Sequence, residues 1–287
     1  MSFWQKLGAT GIALAVLSAA GVAGAAAGGR LIRGSGPGAA SLHCPGGMTR
    51  LGHVFGEDTP IFPGDPEIAI SLAATIETDG FLVEAVQTGA HAGTHLDAPA
   101  HFIGGGRSVD ELRADEFVWP VYKMDVRGET FPDDPNTDQN EDGWIRVGDI
   151  RAYEAEHGRI PRGALVVLQT GAEESWGTDV FDFENAGFAG EAVQWLFDRR
   201  GIAGVGSDAY GPDAWSDDGS ADPDDEDYGF NATFTALDND GVALVALANL
   251  DSVNGRGDVI MAPTIALRDG SGFTTDPLAC HGSPGRR

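Results

Sequence analysis

The chain has 287 residues, enough for one large domain with a substantial core or for two small ones, and we expect one. Its net charge of -26 comes from 44 acidic and 18 basic residues, so the surface repels anionic polymers and argues against nucleic acid as a partner. The acidic excess with scarce lysine is typical of a salt-adapted protein, and the 42 glycines predict a loop-rich fold.

The first 29 residues have the pattern of a targeting segment. A lysine at position 6 precedes an apolar run over residues 12 to 22, and small residues follow that run. This pattern predicts a cleaved signal peptide and therefore export. An uncleaved membrane anchor is the alternative, and Arg30 and Arg33 would then favour a cytoplasmic catalytic domain tethered to the membrane.

Residues 30 to 47 are rich in glycine and small residues and predict a flexible linker. We expect the folded domain to cover residues 48 to 275 and a tail to cover residues 276 to 287. The two cysteines, Cys44 and Cys280, lie near the two ends of that domain. Two alternatives are open for them: a disulfide in an oxidising compartment, or two independent thiols.

Short strands with intervening turns are predicted over residues 68 to 72 and 81 to 86. The second strand leads into a segment that contains His91, His95, Asp97 and His101. Two imidazoles and a carboxylate are ordinary ligands of zinc or manganese, so His91, His95 and Asp97 predict a site for one divalent metal. His101 is then free to transfer protons. On a strand, His95 and Asp97 would share one face and Leu96 would point to the other.

A short helix is predicted over residues 109 to 117 and a strand over residues 118 to 126. Further strands are predicted over residues 164 to 171, 201 to 208, 242 to 250 and 260 to 267, with helices over residues 150 to 157 and 190 to 200. The alternation of strand and helix in this half of the chain predicts an α/β fold.

Two acidic stretches have competing interpretations. Asp138, Asn140, Asp142 and Asp149 match four ligand positions of a calcium-binding loop, although the last ligand is Asp instead of the usual Glu. The alternative is a solvated acidic loop in which Asp149 caps the following helix. Residues 213 to 228 are dominated by Asp and Glu and predict a mobile surface insertion.

The segment from His91 to Phe102 resembles the signature His-x-Gly-Thr-His-x-Asp-x-Pro-x-His-Phe of the cyclase family of metal-dependent hydrolases, which includes bacterial kynurenine formamidases and isatin hydrolases. The resemblance continues over about residues 50 to 270. Its other landmarks are Asp58-Thr-Pro, Pro63-Gly-Asp-Pro and residues 108 to 112, 168 to 171, 195 to 196 and 201 to 208. It implies a layered, barrel-like α/β domain, a homodimer, His91, His95 and Asp97 as metal ligands, and His101 as the proton-transfer residue.

The sequence departs from that family at two places. Residue 92 is Ala where Thr is usual, and residues 234 to 250 contain neither the His nor the Glu that bind a second metal in some members, so we expect one metal. The resemblance implies hydrolysis of a C–N bond in a small amide or formamide, with N-formylkynurenine as the family default. The alternative is an exported metal-binding protein of the same fold without turnover.

Overall fold

The structure is a computed structural model, and it describes residues 44–127, 143–178, 186–214 and 230–282. Several predictions fall outside these ranges: the targeting segment of residues 1 to 29, most of the linker, and the calcium ligands Asp138, Asn140 and Asp142. Among the described residues, no helix is both long enough and apolar enough to cross a membrane.

Within the described ranges the chain is a mixed α/β fold built around one large curled sheet. The strands are β1 (Met48–Arg50), β2 (Ala69–Ala74), β3 (Val83–Gln87), β4 (His95–Asp97), β5 (Val118–Asp125), β6 (Trp144–Ile145), β7 (Leu165–Gln169), β8 (Gly187–Phe188), β9 (Gly204–Ser207), β10 (Val242–Val245), β11 (Arg256–Met261), β12 (Gly272–Thr274) and β13 (Leu278–Cys280). The α-helices are α1 (Ile76–Asp79), α2 (Val147–His157), α3 (Gly190–Arg200) and α4 (Asn231–Asp238).

The large sheet has the strand order β1-β13-β11-β5-β7-β9-β10-β4-β12 in the described part of the chain. Its centre, from β5 to β10, is parallel, and the strands on both sides of that centre pair antiparallel. On β7, Val166 and Leu168 contribute to one buried cluster together with residues of α3. Their neighbours Leu165 and Val167 contribute to a second cluster on the opposite face. The centre of the sheet is therefore buried on both faces, which explains its continuous apolar runs.

The predicted α/β class and most of the predicted central elements are confirmed. Helix α3 covers residues 190 to 200 as predicted, and Ala192, Val193 and Leu196 are buried on its inner face. Helix α2 begins three residues earlier than predicted, at Val147. Asp149 lies in its first turn, where its carboxylate accepts a hydrogen bond from the backbone N–H of Arg146 at 2.7 Å. Asp149 is therefore the third residue of the helix, and Arg146 holds the N-cap position predicted for Asp149, although the Asp149 side chain still caps the backbone N–H of Arg146. The calcium loop stays a prediction.

Three predicted boundaries differ from the structure. The helix predicted over residues 109 to 117 is two single 3-10 turns, at Val109–Glu111 and Ala114–Phe117. The strand predicted over residues 242 to 250 ends at Val245, because Ala246 and Asn249 have positive φ angles of 52° and 58° that no strand can contain. The strand predicted over residues 260 to 267 is β11, which begins at Arg256 and ends at Met261.

Strands β2 and β3 form a separate two-stranded hairpin whose apolar side chains are largely exposed. The exposed large apolar residues on and between these strands are Leu72, Ile76, Phe81, Leu82, Val83 and Val86. An isolated two-stranded sheet is marginally stable in water, and a contiguous apolar surface is typical of protein–protein contact. The homodimer implied by the resemblance stays a prediction.

A disulfide between Cys44 and Cys280 joins the two ends of the described domain. The cysteines are 236 residues apart in sequence, and the strands beside them, β1 and β13, pair antiparallel. Of the two alternatives for the cysteines, the structure forms the disulfide.

Replacing Cys44 and Cys280 together with serine should lower the free energy of unfolding by about 2–5 kcal/mol, because the unfolded chain regains the freedom that a long covalent loop removes. Guanidinium denaturation without reductant measures this difference. Wild-type protein treated with reductant serves as the control and should unfold at the same denaturant concentration as the double variant. Equal stability of the oxidised protein and the variant would contradict the prediction.

Candidate metal centre

Strand β4 positions two of the four predicted site residues. It lies between β10 and β12, and its three residues are all buried. Leu96 belongs to the hydrophobic cluster on one face of the sheet. His95 and Asp97 point to the opposite face, into a cavity that they share with Val245 of β10 and Thr233 of α4. The alternation predicted for these three residues is confirmed.

The turn before β4 determines the orientation of the His95 ring. Gly93 has a φ of +62°, and a side chain at this position would also meet the Thr59 methyl group at 2.9 Å. This turn brings the Gly93 carbonyl within 2.7 Å of His95 Nδ1, which donates a hydrogen bond to it. His95 Nε2 is then the nitrogen with the available lone pair, and it lies 3.3 Å from Asp97 Oδ1.

His91 and His101 complete the cluster from the loop before β4 and the 3-10 turn after it. His91 Nδ1 lies 2.7 Å from Asp97 Oδ1, and His91 Nε2 lies 2.7 Å from the hydroxyl of Ser271. The ring of His101 stacks on the ring of His91 with 3.7 Å between centroids. All four residues predicted from the sequence therefore lie together.

The charges in this cluster depend on one another. Burial alone would raise the pKa of the Asp97 carboxyl, but His95, His91 and His101 together hold it well below its usual value. Burial would likewise lower the pKa of His95, but the Asp97 carboxylate raises it. For His101 burial prevails over the attraction of Asp97, so its pKa is lowered and its imidazole is neutral near neutral pH. A neutral imidazole beside an ionised carboxylate is suited to accept a proton.

The donor atoms fit a divalent metal ion. One ligand atom each from His91, Asp97 and His101 lie within 4.8 Å of one another. His95 adds Nε2 at 3.3 Å from Asp97, close to the roughly 3.3 Å that separates two ligands bound at 2.0–2.1 Å in a tetrahedral site. Imidazole nitrogen with one carboxylate oxygen is a donor set for zinc or manganese. Either His95 or His101 can therefore be the third ligand beside His91 and Asp97, and the sequence prediction favours His95.

A cavity of about 230 Å³ lies over the cluster. Its polar side is formed by the four predicted residues and Asp65, and its other walls are largely aromatic. The aromatic residues are Phe62, Phe102, Tyr210 and Phe230. A larger cavity of about 690 Å³ lies behind Gly93 and Thr94, but none of the four predicted residues lines it. The smaller cavity is therefore the one whose lining includes the groups that could bind a metal and transfer protons.

Sequence reasoning missed several residues of this site. Ser271, whose hydroxyl forms a hydrogen bond with the His91 ring, is 180 residues away from it in sequence, and no local sequence pattern indicates this contact. Gly272, the next residue, is required because a side chain there would meet the ring of His91 at 2.9 Å and the Leu96 carbonyl at 2.3 Å. Asp65 lies in the Pro63-Gly-Asp-Pro landmark, so the turn pattern could have marked it.

Asp213 contradicts the prediction of a mobile insertion that begins at residue 213, because its side chain is buried. Its carboxylate accepts hydrogen bonds from the backbone N–H of Thr233, at 2.9 Å, and from the Thr233 hydroxyl. Thr233 lies in the first turn of α4, whose N-cap residue, Phe230, has no side chain that can cap. Asp213 therefore replaces the missing cap from outside the helix. The rest of that insertion, from residue 215, lies outside the described residues.

Comparisons with known proteins agree with this geometry. A family model described as putative cyclase matches residues 49–214. An isatin hydrolase from Roseibium aggregatum is 30% identical over 247 residues, which cover 79% of this chain and 88% of that protein. A kynurenine formamidase from Sphingopyxis alaskensis is 26% identical over 151 residues, covering 52% of this chain and 63% of the relative. The crystal structure of an isatin hydrolase bound to the product analogue thioisatinate matches with a TM-score of 0.68 and 26% identity, over 82% of this chain and 92% of that one.

The metal ligands can be identified by metal analysis of single variants. His95→Ala should lose most of the bound zinc or manganese, because a ligand with a fixed ring nitrogen is removed. His101→Ala should retain the metal if His101 transfers protons and does not bind it. His157→Ala, on the exposed end of α2, is the matched control. Retention of metal by His95→Ala together with its loss from His101→Ala would reverse the assignment of these two residues.

The buried Asp213 predicts a dependence of stability on pH. Burial raises the pKa of its carboxyl to about 6, above the ordinary value of 3.8, so the folded protein binds this proton more tightly than the unfolded chain does. The contribution of Asp213 to stability is therefore fully present below pH 3.8 and is lost as the pH rises through 6. Urea unfolding of Asp213→Asn beside the wild type isolates this group. The wild type should lose on the order of 3 kcal/mol relative to the variant between about pH 4 and pH 7. A constant difference between the two proteins would contradict the assignment.

Proposed function

Because this chain belongs to the cyclase family of metal-dependent hydrolases, we propose that it hydrolyses the C–N bond of a small aromatic amide, with a cyclic amide of the isatin type as its first candidate substrate. The observation that carries this proposal is the convergence of His91, His95, Asp97 and His101 on one side of an aromatic cavity. The reacting groups and the binding surface then lie in the same place.

The cavity favours a small aromatic substrate. Its volume of about 230 Å³ is below the roughly 300–1,000 Å³ of pockets that hold drug-sized ligands. Phe62 and Phe230, with 5.6 Å between ring centroids, and Phe102, 5.7 Å from Phe230, offer apolar ring surfaces. An aromatic ring against these side chains would direct a substrate carbonyl towards the polar side of the cavity.

A divalent ion would be held by His91 and Asp97 with His95, and it would supply Lewis-acid polarisation of a carbonyl and a lowered pKa of water. The residues of the chain account for the remaining chemistry. The Gly93 carbonyl orients His95, and Ser271 orients His91. His101 accepts the proton of the attacking water on an imidazole nitrogen, because its lowered pKa keeps the ring in the neutral form that can take up a proton.

Hydrolysis of the amide needs only water as a second reactant. The oxygen of water adds to the carbonyl carbon, the C–N bond breaks, and the nitrogen leaves with the proton that His101 returns to it. The products are a carboxylate and a free amine. In a cyclic amide both groups remain in one molecule, whereas in a formamide they separate as formate and an aryl amine.

The two substrate types are supported to different extents. The isatin hydrolase relative is similar over 79% of this chain, and the kynurenine formamidase relative over 52%. The second candidate, an arylformamidase acting on N-formylkynurenine, rests on that shorter similarity. If the predicted targeting segment exports the protein, tryptophan breakdown would be an unsuitable context for the enzyme, which also favours the cyclic amide.

Isatin and N-formylkynurenine assayed with the metal-loaded protein test the proposal, and we expect isatin to be hydrolysed with the higher kcat/KM. His101→Ala should lower kcat by about 10²- to 10⁴-fold while the metal content is retained, because general base catalysis is lost. His157→Ala should remain fully active. If neither substrate nor a wider panel of amides and lactones is hydrolysed, the alternative of a metal-binding protein without turnover replaces the enzyme.

A further inference from the structure

Four arginines and one tryptophan from α2, from the loop after α2 and from α3 lie close together. Arg151, Arg159, Arg199 and Arg200 line a shallow basin of about 500 Å³ together with Trp195. The whole chain has 18 basic residues, two of them lysines, against 44 acidic ones. A quarter of its arginines therefore lie in one basin of a strongly acidic protein. Such an arrangement concentrates positive potential where the rest of the surface repels anions.

One of the four arginines has a structural partner. Arg200 forms a two-pronged ion pair with Glu154 of α2, with Nε–Oε1 and Nη2–Oε2 distances of 2.6 and 2.5 Å. Both side chains are largely buried, and the pair joins α3 to α2. The same guanidinium lies over Trp195, 4.2 Å from the ring centroid. The carboxylate of Glu154 therefore accepts hydrogen bonds from Arg200 and from the backbone N–H of Ile160.

The other three arginines are exposed and lack a carboxylate partner among the residues that the structure describes. Arg151 lies 5.3 Å from the centroid of Trp195, and Arg159 donates a hydrogen bond to the carbonyl of Arg199 at 3.3 Å. Apart from Glu154, the acidic side chains on these two helices are Asp149, Glu156, Glu191 and Asp198, and none of them forms an ion pair with these three arginines. Glu154, which is paired with Arg200, also lies within electrostatic reach of Arg159. Four guanidinium groups therefore share one carboxylate, which leaves the basin with a net positive charge.

Stabilisation of helix ends does not account for this arrangement. Arg199 and Arg200 lie in the last turn of α3, where a positive charge contributes about 0.3–1 kcal/mol through the helix dipole. Arg151, by contrast, lies in the first half of α2, where the dipole gives no such benefit. Neither helix dipole explains why three unpaired guanidinium groups converge on one basin.

We propose that this basin is a binding site for a phosphate-type oxyanion. Arg151, Arg159 and Arg199 would bind the anion, and the Arg200–Trp195 pair would form the floor of the site. Guanidinium groups donate two parallel hydrogen bonds to a tetrahedral oxyanion and remain charged at every physiological pH. A multivalent anion would neutralise the three charges at once. The site is separate from the hydrolytic cavity, because the two share no lining residue.

Calorimetric titration of the full chain with inorganic pyrophosphate tests this site. We expect saturable binding of one anion per chain that weakens as sodium chloride is raised, since exposed charges are screened by salt. Arg159→Gln combined with Arg199→Gln should weaken binding at least about tenfold, the effect of losing one charge-assisted hydrogen bond. Arg50→Gln combined with Arg268→Gln removes the same charge from exposed positions outside the basin and should leave binding unchanged.

Co-sedimentation with vesicles distinguishes a free anion from a lipid headgroup. Pyrophosphate binding without retention on phosphatidylglycerol vesicles indicates a soluble ligand, and arginine-dependent retention on these vesicles but not on phosphatidylcholine indicates a headgroup. Circular dichroism and the melting temperature without ligand verify that each variant is folded. The absence of both kinds of binding, or equal binding by both double variants, would overturn the proposal. His101→Ala should bind pyrophosphate like the wild type, so failure of the hydrolase proposal would be seen separately.

Discussion

The alternation of side chains along β4 is the constraint on which the site depends. Three consecutive buried residues place one leucine in the hydrophobic core and two ionisable groups in the cavity. Burial of Leu96 on one face fixes the register, because a slip by one residue would move Leu96 into the cavity and His95 and Asp97 into the core. Packing of a single leucine thereby determines where the imidazole and the carboxylate point.

The neighbouring strands reinforce this arrangement from both sides. Residue pairs join Leu96 to Leu244 on β10 and to Phe273 on β12, so β4 is held by two strands. Close approach of β12 requires a glycine at residue 272, and the residue before it supplies the hydroxyl that holds His91. The side chains of His91, His95 and Asp97 are thus oriented by backbone pairing and by groups that come from distant parts of the sequence.

The sequence predicted the parts of the site that are local and missed those that arise by packing. His91, His95, Asp97 and His101 lie within one short segment, and ligand chemistry with strand alternation was enough to bring them together. Ser271, Tyr210 and Phe230 reach the cavity only after the sheet has formed, so their local sequence carries no signal of it. The central strands and α3 were predicted because their apolar patterns are long. Helix α4 was missed because it is eight residues long and its cap, Asp213, comes from another segment.

The joined ends of the domain also determine how it would carry a mechanical load. The Cα atoms of Cys44 and Cys280 are 5.2 Å apart, so a pull on the residues before Cys44 passes through a covalent bond directly to β13. In the sheet order, β13 is next to β11, and β4 lies six strands away from β13 near the opposite edge. Tension applied at this end would therefore act first on the strands at one edge of the sheet, and the strand that carries His95 and Asp97 lies near the other edge, beyond the parallel centre.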